Sequence, residues 1–440
     1  MADQTVARIG VDGFNLALER GTGVATYART LTRALERMGH PVDMLYGLDI
    51  PTGSDPALRE VRFFDRLEQP PGKRPAPFSK RWIRERRADL HAPAPQEITL
   101  TGRVDSRPFA DRLPAFTRLF NADGLFQRAA RHFRRTGRLT RLRMDTPPAI
   151  MHWTYPLPVM IEGAANIYTI HDVVPLRLPY TTLDDKPYYY RLMNTICAQA
   201  DALCTVSEAS RRDIVSFFPS SDGKLHNTYQ SFSPSPVAME RSDAECKAEI
   251  DADFGLLPQS YFLFFGSLEP KKNIGRLIEA FLASGCARKL VLVGAMAWKS
   301  ERELRYLDRG IAAGRIVMID YLPERTLFAL LRMARALLFP SLSEGFGLPV
   351  LEAMSCGVPA LVSAEGALPE VSGDAALQTD AYDVDAIARA IRRLDADDAL
   401  CDGLAAAGRG QAARFDMTSY CQRLAGLYHS VLASAPTTKA

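Results

Sequence analysis

The apolar positions of this chain fall into two successive series of short runs, each alternating with stretches of helical spacing. The first series opens with residues 7–11 (ARIGV), closed by Asp12-Gly13. After a loop bearing Gly21 and Gly23, the residues Val24, Tyr27, Leu31 and Leu35 recur at the spacing of one helical face. Gly39 is a natural helix stop, and residues 42–46 predict a second strand. Strand, glycine-bearing loop, helix and strand are the opening of a doubly wound α/β domain. Residues 167–170 (IYTI) run into His171-Asp172, and residues 202–206 (ALCTV) end at Ser207. A helix is expected from there, with Ser210 and Asp213 in the spacing of a capping box. The second series begins afresh at 261–265 (YFLFF), followed by the turn GSLEPKKN and a helix over 274–281. Strands are expected at 290–294, 315–319, 336–339 and 359–362, with helices between them, and 420–433 is amphipathic.

The pattern therefore predicts two doubly wound domains in tandem. Residues 1–240 form the first and 259–417 the second. The polar segment 241–258 reads as the linker, and a C-terminal helix in 418–440 could pack back on the first domain. Residues 51–147 interrupt the periodicity and read as an insertion, with PTGSDP, PPGKRPAP and APAP flanking short helical pieces. Two arginine clusters lie within it, KRWIRERR at 80–87 and LFQRAARHFRRTGRLTRLR at 125–143. In the second, Phe126, Ala130 and Phe133 share one helical face and Arg128, Arg131 and Arg135 another, an arrangement suited either to an anionic membrane surface or to packing by the apolar stripe.

Composition narrows the classes. At 440 residues and 47% hydrophobic, the chain is long enough for two cores. A net charge of +3 is too mild to make nucleic acid the main partner. Seven cysteines show neither a CxxC pair nor metal-ligand spacing, which suits reduced thiols and a cytoplasmic protein. The N-terminus lacks the cationic and apolar blocks of a signal peptide, and no run approaches the ~18 apolar residues of a membrane span. Asp-x-Asp occurs at 251–253, 383–385 and 395–397, but never after an apolar strand, so no metal site is expected.

The candidate chemistry centres on residues 340–363, PSLSEGFGLPVLEAMSCGVPALVS. Pro349 predicts a helix start, where its missing N–H costs nothing. Gly345 and Gly347 before it allow close backbone approach to a phosphate or polyol. Glu344 falls in the loop and Glu352 in the first helical turn, so that both could face one ligand. The turn carrying Lys271 and Lys272 occupies the equivalent strand-to-helix position and suits a diphosphate. Cations for phosphates on one side and carboxylates for hydroxyls on the other suit a sugar nucleotide. On the first domain, His171 stands at a strand end where ligands of parallel sheets bind. The loop at Gly21 and Gly23 lacks the third glycine of a dinucleotide fingerprint, since Thr26 stands there.

Through GSLEPKKNIGRLIEAF, YLPERTLFALLRMARALLFPSLSEGFGLPVLEAMSCGVPALVS and ALPEVSGDAAL, the second half resembles the retaining glycosyltransferases of family 4. The first half resembles their acceptor domain more loosely, through GTGVATYARTL, IYTIHDVVPL and CTVSEASRRDI. The resemblance implies the GT-B architecture, two Rossmann-like domains facing a central cleft. It also implies a GDP- or UDP-linked sugar donor, with mannosyltransferases of bacterial polysaccharide assembly as the nearest pattern, and a saccharide acceptor, free or lipid-linked, at the inner face of the cell membrane. On that footing Glu352 holds the ribose, Glu344 lies near the donor sugar, and Lys272 neutralises the departing diphosphate. The backbone of Gly345, Phe346, Gly347 and Leu348 binds sugar hydroxyls and phosphate, and Gly266, Ser267, Lys271 and Asn273 complete the phosphate turn. Ser267 stands where many relatives carry arginine, so Lys271 is the candidate to supply that charge. His171 contacts the donor sugar or stabilises charge near it, the Gly21-Thr22-Gly23 loop approaches the phosphate or acceptor from the first domain, and the base is read near Tyr321, Leu322 and Pro323. No cofactor or essential metal is implied. The alternatives are an epimerase or phosphorylase on the same fold, or a nucleic-acid-binding protein acting through the basic insertion.

Overall fold

The computed structural model describes the chain apart from residues 1–5, 19–22, 52–54, 56–57, 70–78, 80–91, 111, 233–238, 296–305 and 435–440. The cluster at 80–87 and residues Gly21 and Thr22 thus lie outside the described residues. Apolar runs become strands wherever both faces are covered, as parallel sheets require. In the first domain these are β1 (Ile9–Asp12), β2 (Val42–Tyr46), β3 (Gln96–Glu97), β4 (Arg118–Asn121), β5 (Thr140–Leu142), β6 (Ile150–Trp153), β7 (Val159–Ile161), β8 (Ala165–Thr169), β9 (Ala202–Thr205) and β10 (Leu225–Asn227). Eight of them form one sheet in the order β10-β9-β8-β6-β1-β2-β4-β3, parallel except for β3 at its edge. Strands β5 and β7 pair separately.

The second domain contributes β11 (Tyr261–Phe265), β12 (Lys289–Val293), β13 (Ile316–Ile319), β14 (Ala336–Phe339), β15 (Ala360–Ser363) and β16 (Leu377–Thr379). Their order is β13-β12-β11-β14-β15-β16, parallel throughout. Counted within the domain this is 3-2-1-4-5-6, the Rossmann order, whose topological switch lies between β11 and β14. In the first domain the corresponding reversal lies between β1 and β6.

Three sequence expectations are corrected here. Residues 51–147 are not a mere insertion: β4 sits inside the main sheet beside β2, and helix Leu125–Thr136 covers it. That helix buries Leu125, Phe126, Ala129 and Phe133 in the domain core, so its apolar face is spent on folding. Phe126 alone, 6% exposed, should be worth about 3 kcal/mol or more against alanine. The stretch read as a linker contains helix Asp243–Phe254, begun by a full capping box between Ser242 and Glu245 and packed on helix Glu324–Met333. Finally, helix Glu208–Phe217 is capped by Ser207, whose hydroxyl accepts from the Ser210 amide at 2.9 Å; Ser210 is not the cap.

Helix Met417–Ser434 leaves the second domain and packs on the first. It buries Tyr420, Leu424, Leu427, Tyr428 and Val431, and it touches helix Gly23–Arg37. The Tyr428 hydroxyl lies 2.7 Å from His152 Nδ1, and Nε2 of the same imidazole lies 2.8 Å from Thr169 Oγ1. This satisfied buried histidine is pushed down to about 3 by burial and then by His171, so it is neutral and structural.

Candidate active site

The loops after β11 and β14 meet because those strands are neighbours at the switch point. Lys272 Nζ stands 2.6 Å from Glu344 Oε1, with the two side chains 12% and 9% exposed. The same ammonium lies 5.0 Å above the Phe339 ring. Asn273, at a left-handed φ of 62°, donates from Nδ2 to the carbonyls of Pro340 and Ala381 at 3.0 and 2.7 Å, and the Leu342 amide donates to the Lys271 carbonyl at 2.8 Å. The turn is thereby locked to the 340–344 loop by side chain and backbone. Cation and carboxylate, expected on opposite sides of a ligand, are instead partners of each other.

The lysine that lines the interdomain cavity is Lys271. This cavity, of about 450 Å³, is bounded on the second domain by Glu269 and Lys271 and on the first by Tyr155, His171, Asp172 and Tyr189. Burial opposes the charge of Lys271, but Asp172, Glu344 and Glu269 outweigh it and hold its pKa above the ordinary lysine value. Ser267 does not replace a cation, since its hydroxyl donates to Glu269 at 3.0 Å. Gly266 ends β11 at a φ of 135°.

Glu352 occupies helix Leu348–Ser355, whose first turn contains no acid, so it stands one turn later than expected. Its carboxyl is pushed up to about 8 by burial and then by the charge of Glu324. At neutral pH it is therefore largely protonated, able to donate one hydrogen bond and accept others. Glu324 follows the loop of Leu322 and Tyr321 beyond β13; Tyr321 is 71% exposed, while Leu322 packs on the core. Glu344 and Glu352 thus serve separate places. Gly347 caps the helix at a φ of 104°, a conformation open to glycine. Gly345 answers a different demand: a Cβ there would sit 2.5 Å from the His171 carbonyl of the other domain. Phe346 turns away from the cavity to pack on Phe415, with ring centroids 5.4 Å apart.

Across the cavity, His171 Nε2 lies 2.9 Å from the Thr154 carbonyl, which can only accept. The proton is therefore on Nε2, and Nδ1 is the basic nitrogen. Burial lowers its pKa, against the opposing effects of the Thr154 carbonyl and Asp172, and Tyr27 supports the ring edge-on at 4.8 Å. Behind it, Asp12 at the end of β1 accepts from the amides of Thr154 and Phe14, joining the two strands at the first domain's switch point. Burial raises its pKa to about 6. Asp12 and Thr154 escaped the sequence reading; a carboxylate ending a central strand was the available signal. Gly23 opens helix Gly23–Arg37, and Val24 beside it lines the cavity. Among the described residues no cluster of three metal-ligating side chains occurs.

Residues 247–411 match the family described as "Glycosyl transferases group 1", and residues 22–225 match the "Glycosyl transferase 4-like domain". The O-antigen chain mannosyltransferase B of Escherichia coli is 35% identical over 264 residues, 59% of this chain and 68% of that protein. The chain belongs to the GT-B glycosyltransferases of family 4. It is an enzyme of that class, a glycosyltransferase. The serotype-specific mannosyltransferase WbdA of Escherichia coli is 27% identical over 271 residues, and the chain spans only 33% of its length. Among solved structures, HepE of Anabaena in complex with UDP and glucose superposes with a TM-score of 0.64 at 14% identity, over 96% of this chain and all of that one. At that identity the likeness concerns the fold, two Rossmann-like domains facing a cleft.

Proposed function

We propose that this glycosyltransferase moves a mannosyl residue from GDP-mannose to a saccharide acceptor, with retention, in the assembly of a bacterial surface polysaccharide. The observation that carries the reading is the 35% identity to an O-antigen chain mannosyltransferase, together with a cavity lined by Lys271 and His171. In this reading the diphosphate lies against the 266–273 turn, where Lys271 and the start of helix Leu348–Ser355 stabilise the charge that develops as the anomeric bond breaks. Glu352, protonated, engages the ribose hydroxyls, and the 344–348 backbone engages the sugar. Lys272 acts through Glu344, fixing its carboxylate beside the sugar subsite. The two glutamates share one segment and do not flank a scissile bond, which favours front-face displacement with the leaving phosphate taking the acceptor proton over a double displacement by two carboxylates. No metal or organic cofactor is assigned a step.

The acceptor enters from the Thr181-Thr182-Leu183 side of the cavity, and Tyr180 and Leu183, each 64% exposed there, suit the apolar part of a lipid-linked acceptor. The basic face of helix Leu125–Thr136, with Arg134 and Arg135 exposed, would hold the enzyme to an anionic membrane by charge alone. No helix among the described residues is long and apolar enough to cross a membrane.

The test is transfer from a panel of labelled sugar nucleotides to saccharide acceptors, with a chelator present in parallel. Transfer from GDP-mannose undiminished by the chelator is the expected result. Transfer only from UDP-glucose would overturn the donor assignment, and absence of any shift in Tm with nucleoside diphosphates would overturn the site.

A further inference from the structure

Helix Glu208–Phe217 belongs to the acceptor domain, yet its first amides are satisfied by the donor domain. The Glu208 amide donates to Glu370 Oε1 at 2.8 Å and the Ala209 amide to Glu370 Oε2 at 2.9 Å. The third amide, that of Ser210, is taken by Ser207. A carboxylate at a helix N-terminus is favoured by both hydrogen bonding and the helix dipole. Here it spans the cleft between two domains. One residue further along, the Ser210 hydroxyl lies 2.8 Å from the carbonyl of His171 and 3.2 Å from that of Gly345. These carbonyls belong to the acceptor-side histidine and the donor loop, and no Cβ fits between them.

Glu370 is also tied to the donor loop. It lies on helix Leu368–Ser372, and the Ala367 amide just before that helix donates to the Glu344 carbonyl at 3.2 Å. A Cβ on Gly366 would stand 3.0 Å from the Glu344 amide nitrogen, and one on Gly347 would stand 2.6 Å from the Leu368 side chain. The segment that presents Glu370 is thus packed on the loop assigned to the donor. Beside Glu370, which also hydrogen-bonds Tyr229, the chain's two crossings between domains meet in one aromatic cluster. Tyr229, at a left-handed φ of 55°, lies 5.4 Å from Phe415 and 6.4 Å from the donor-loop residue Phe346.

From these contacts we propose that Glu370 and Ser210 are positioning residues that register the donor domain on the acceptor domain beside the Tyr229–Phe415 cluster. Glu370 holds helix Glu208–Phe217 against the segment packed on the 344–348 loop, and Ser210 sets His171 against Gly345. The catalytic arm of this proposal rests on the family-4 reading; the domain contact does not.

The experiment compares wild type, Glu370→Ala, Glu370→Gln and Ser210→Ala by residue-resolved hydrogen exchange, by X-ray scattering with and without GDP, and by turnover. In Glu370→Ala, exchange at the Glu208 and Ala209 amides should rise about tenfold, the scale of one lost charge-assisted hydrogen bond. The radius of gyration with GDP should exceed that of wild type, and kcat should fall about tenfold with KM for the donor nearly unchanged. Glu370→Gln, which keeps one carbonyl acceptor, should restore part of both, and Ser210→Ala should lower kcat without altering the amide exchange at 208. Unchanged exchange and scattering in Glu370→Ala would overturn the proposal, and so would a rise in KM alone. Should wild type bind no nucleoside diphosphate and transfer no sugar, the mannosyltransferase reading fails, while exchange and scattering still decide the domain contact.

Discussion

The two Rossmann-like domains solve the same packing problem with different interiors. In the donor domain, β11, β12, β14 and β15 are nearly continuous apolar runs, and the buried polar residues Asn273, Ser341, Ser343 and Glu344 lie in the loops after β11 and β14. In the acceptor domain, polar side chains run through the sheet itself: Asp43 paired with Arg118, Asn166 holding the backbone of Ile161, and Tyr27, Thr169, His152 and Tyr428 linked in one buried chain. Such a network is stable only when every member is satisfied, so it demands a particular tertiary arrangement. The comparison teaches that the donor domain is built to hold a site at one switch point. The acceptor domain is built to fix the orientation of His171 through strands and a helix drawn from the far end of the chain.

Glu344→Ala should give the largest effect on the donor side. It leaves Lys272 buried beside Phe339 without its carboxylate, which should cost about 3–5 kcal/mol of stability by denaturant unfolding. A loss below about 1 kcal/mol would mean the pair is not buried in solution. Asp12 sharpens the contrast on the acceptor side. Its folded pKa, raised by burial from 3.8 to about 6, means that its contribution is fully present below pH 4 and is lost as pH rises through 6. The stability of wild type relative to Asp12→Asn should therefore fall by about 2 kcal/mol between pH 4 and 7; a flat difference would place Asp12 in water. At the donor loop, Glu352→Ala should weaken nucleoside-diphosphate binding about tenfold or more, measured by calorimetry at pH 7. Glu352→Gln should retain most of it, because the native carboxyl, pushed up to about 8, is already neutral there. Wild-type affinity should decline as pH rises through 8 and that of Glu352→Gln should not. The smallest effect belongs to Tyr428→Phe, which removes one hydrogen bond to His152 and should cost about 1 kcal/mol. A change as large as that of Glu344→Ala would show that the C-terminal helix carries the acceptor domain.

The same contrast explains how much could be read in advance. The strands of the donor domain, from Tyr261–Phe265 to Ala360–Ser363, stand within about a residue of their expected places, because a sheet covered on both faces writes itself as apolar runs. Strands β4 and β6, RLFN and IMHW, carry Arg118, Asn121 and His152 among their apolar residues, and no periodicity betrays them. The linker reading failed for a related reason: helix Asp243–Phe254 buries only Cys246 and Ile250, too few for an apolar stripe, although its Ser242-Glu245 capping box was legible.

What the sequence determined by itself is the tandem α/β plan, the two strand-to-helix turns of the donor domain, and the residue types each presents. Hydrophobic periodicity and turn chemistry are local, acting over one or two helical turns. What only the tertiary structure decided is which polar groups satisfy one another: Lys272 with Glu344 rather than with opposite sides of a ligand, His171 with Thr154, Glu370 with a helix 162 residues away. A buried charge or amide must find a partner wherever the strand order brings one within reach, and strand order is a property of the folded sheet.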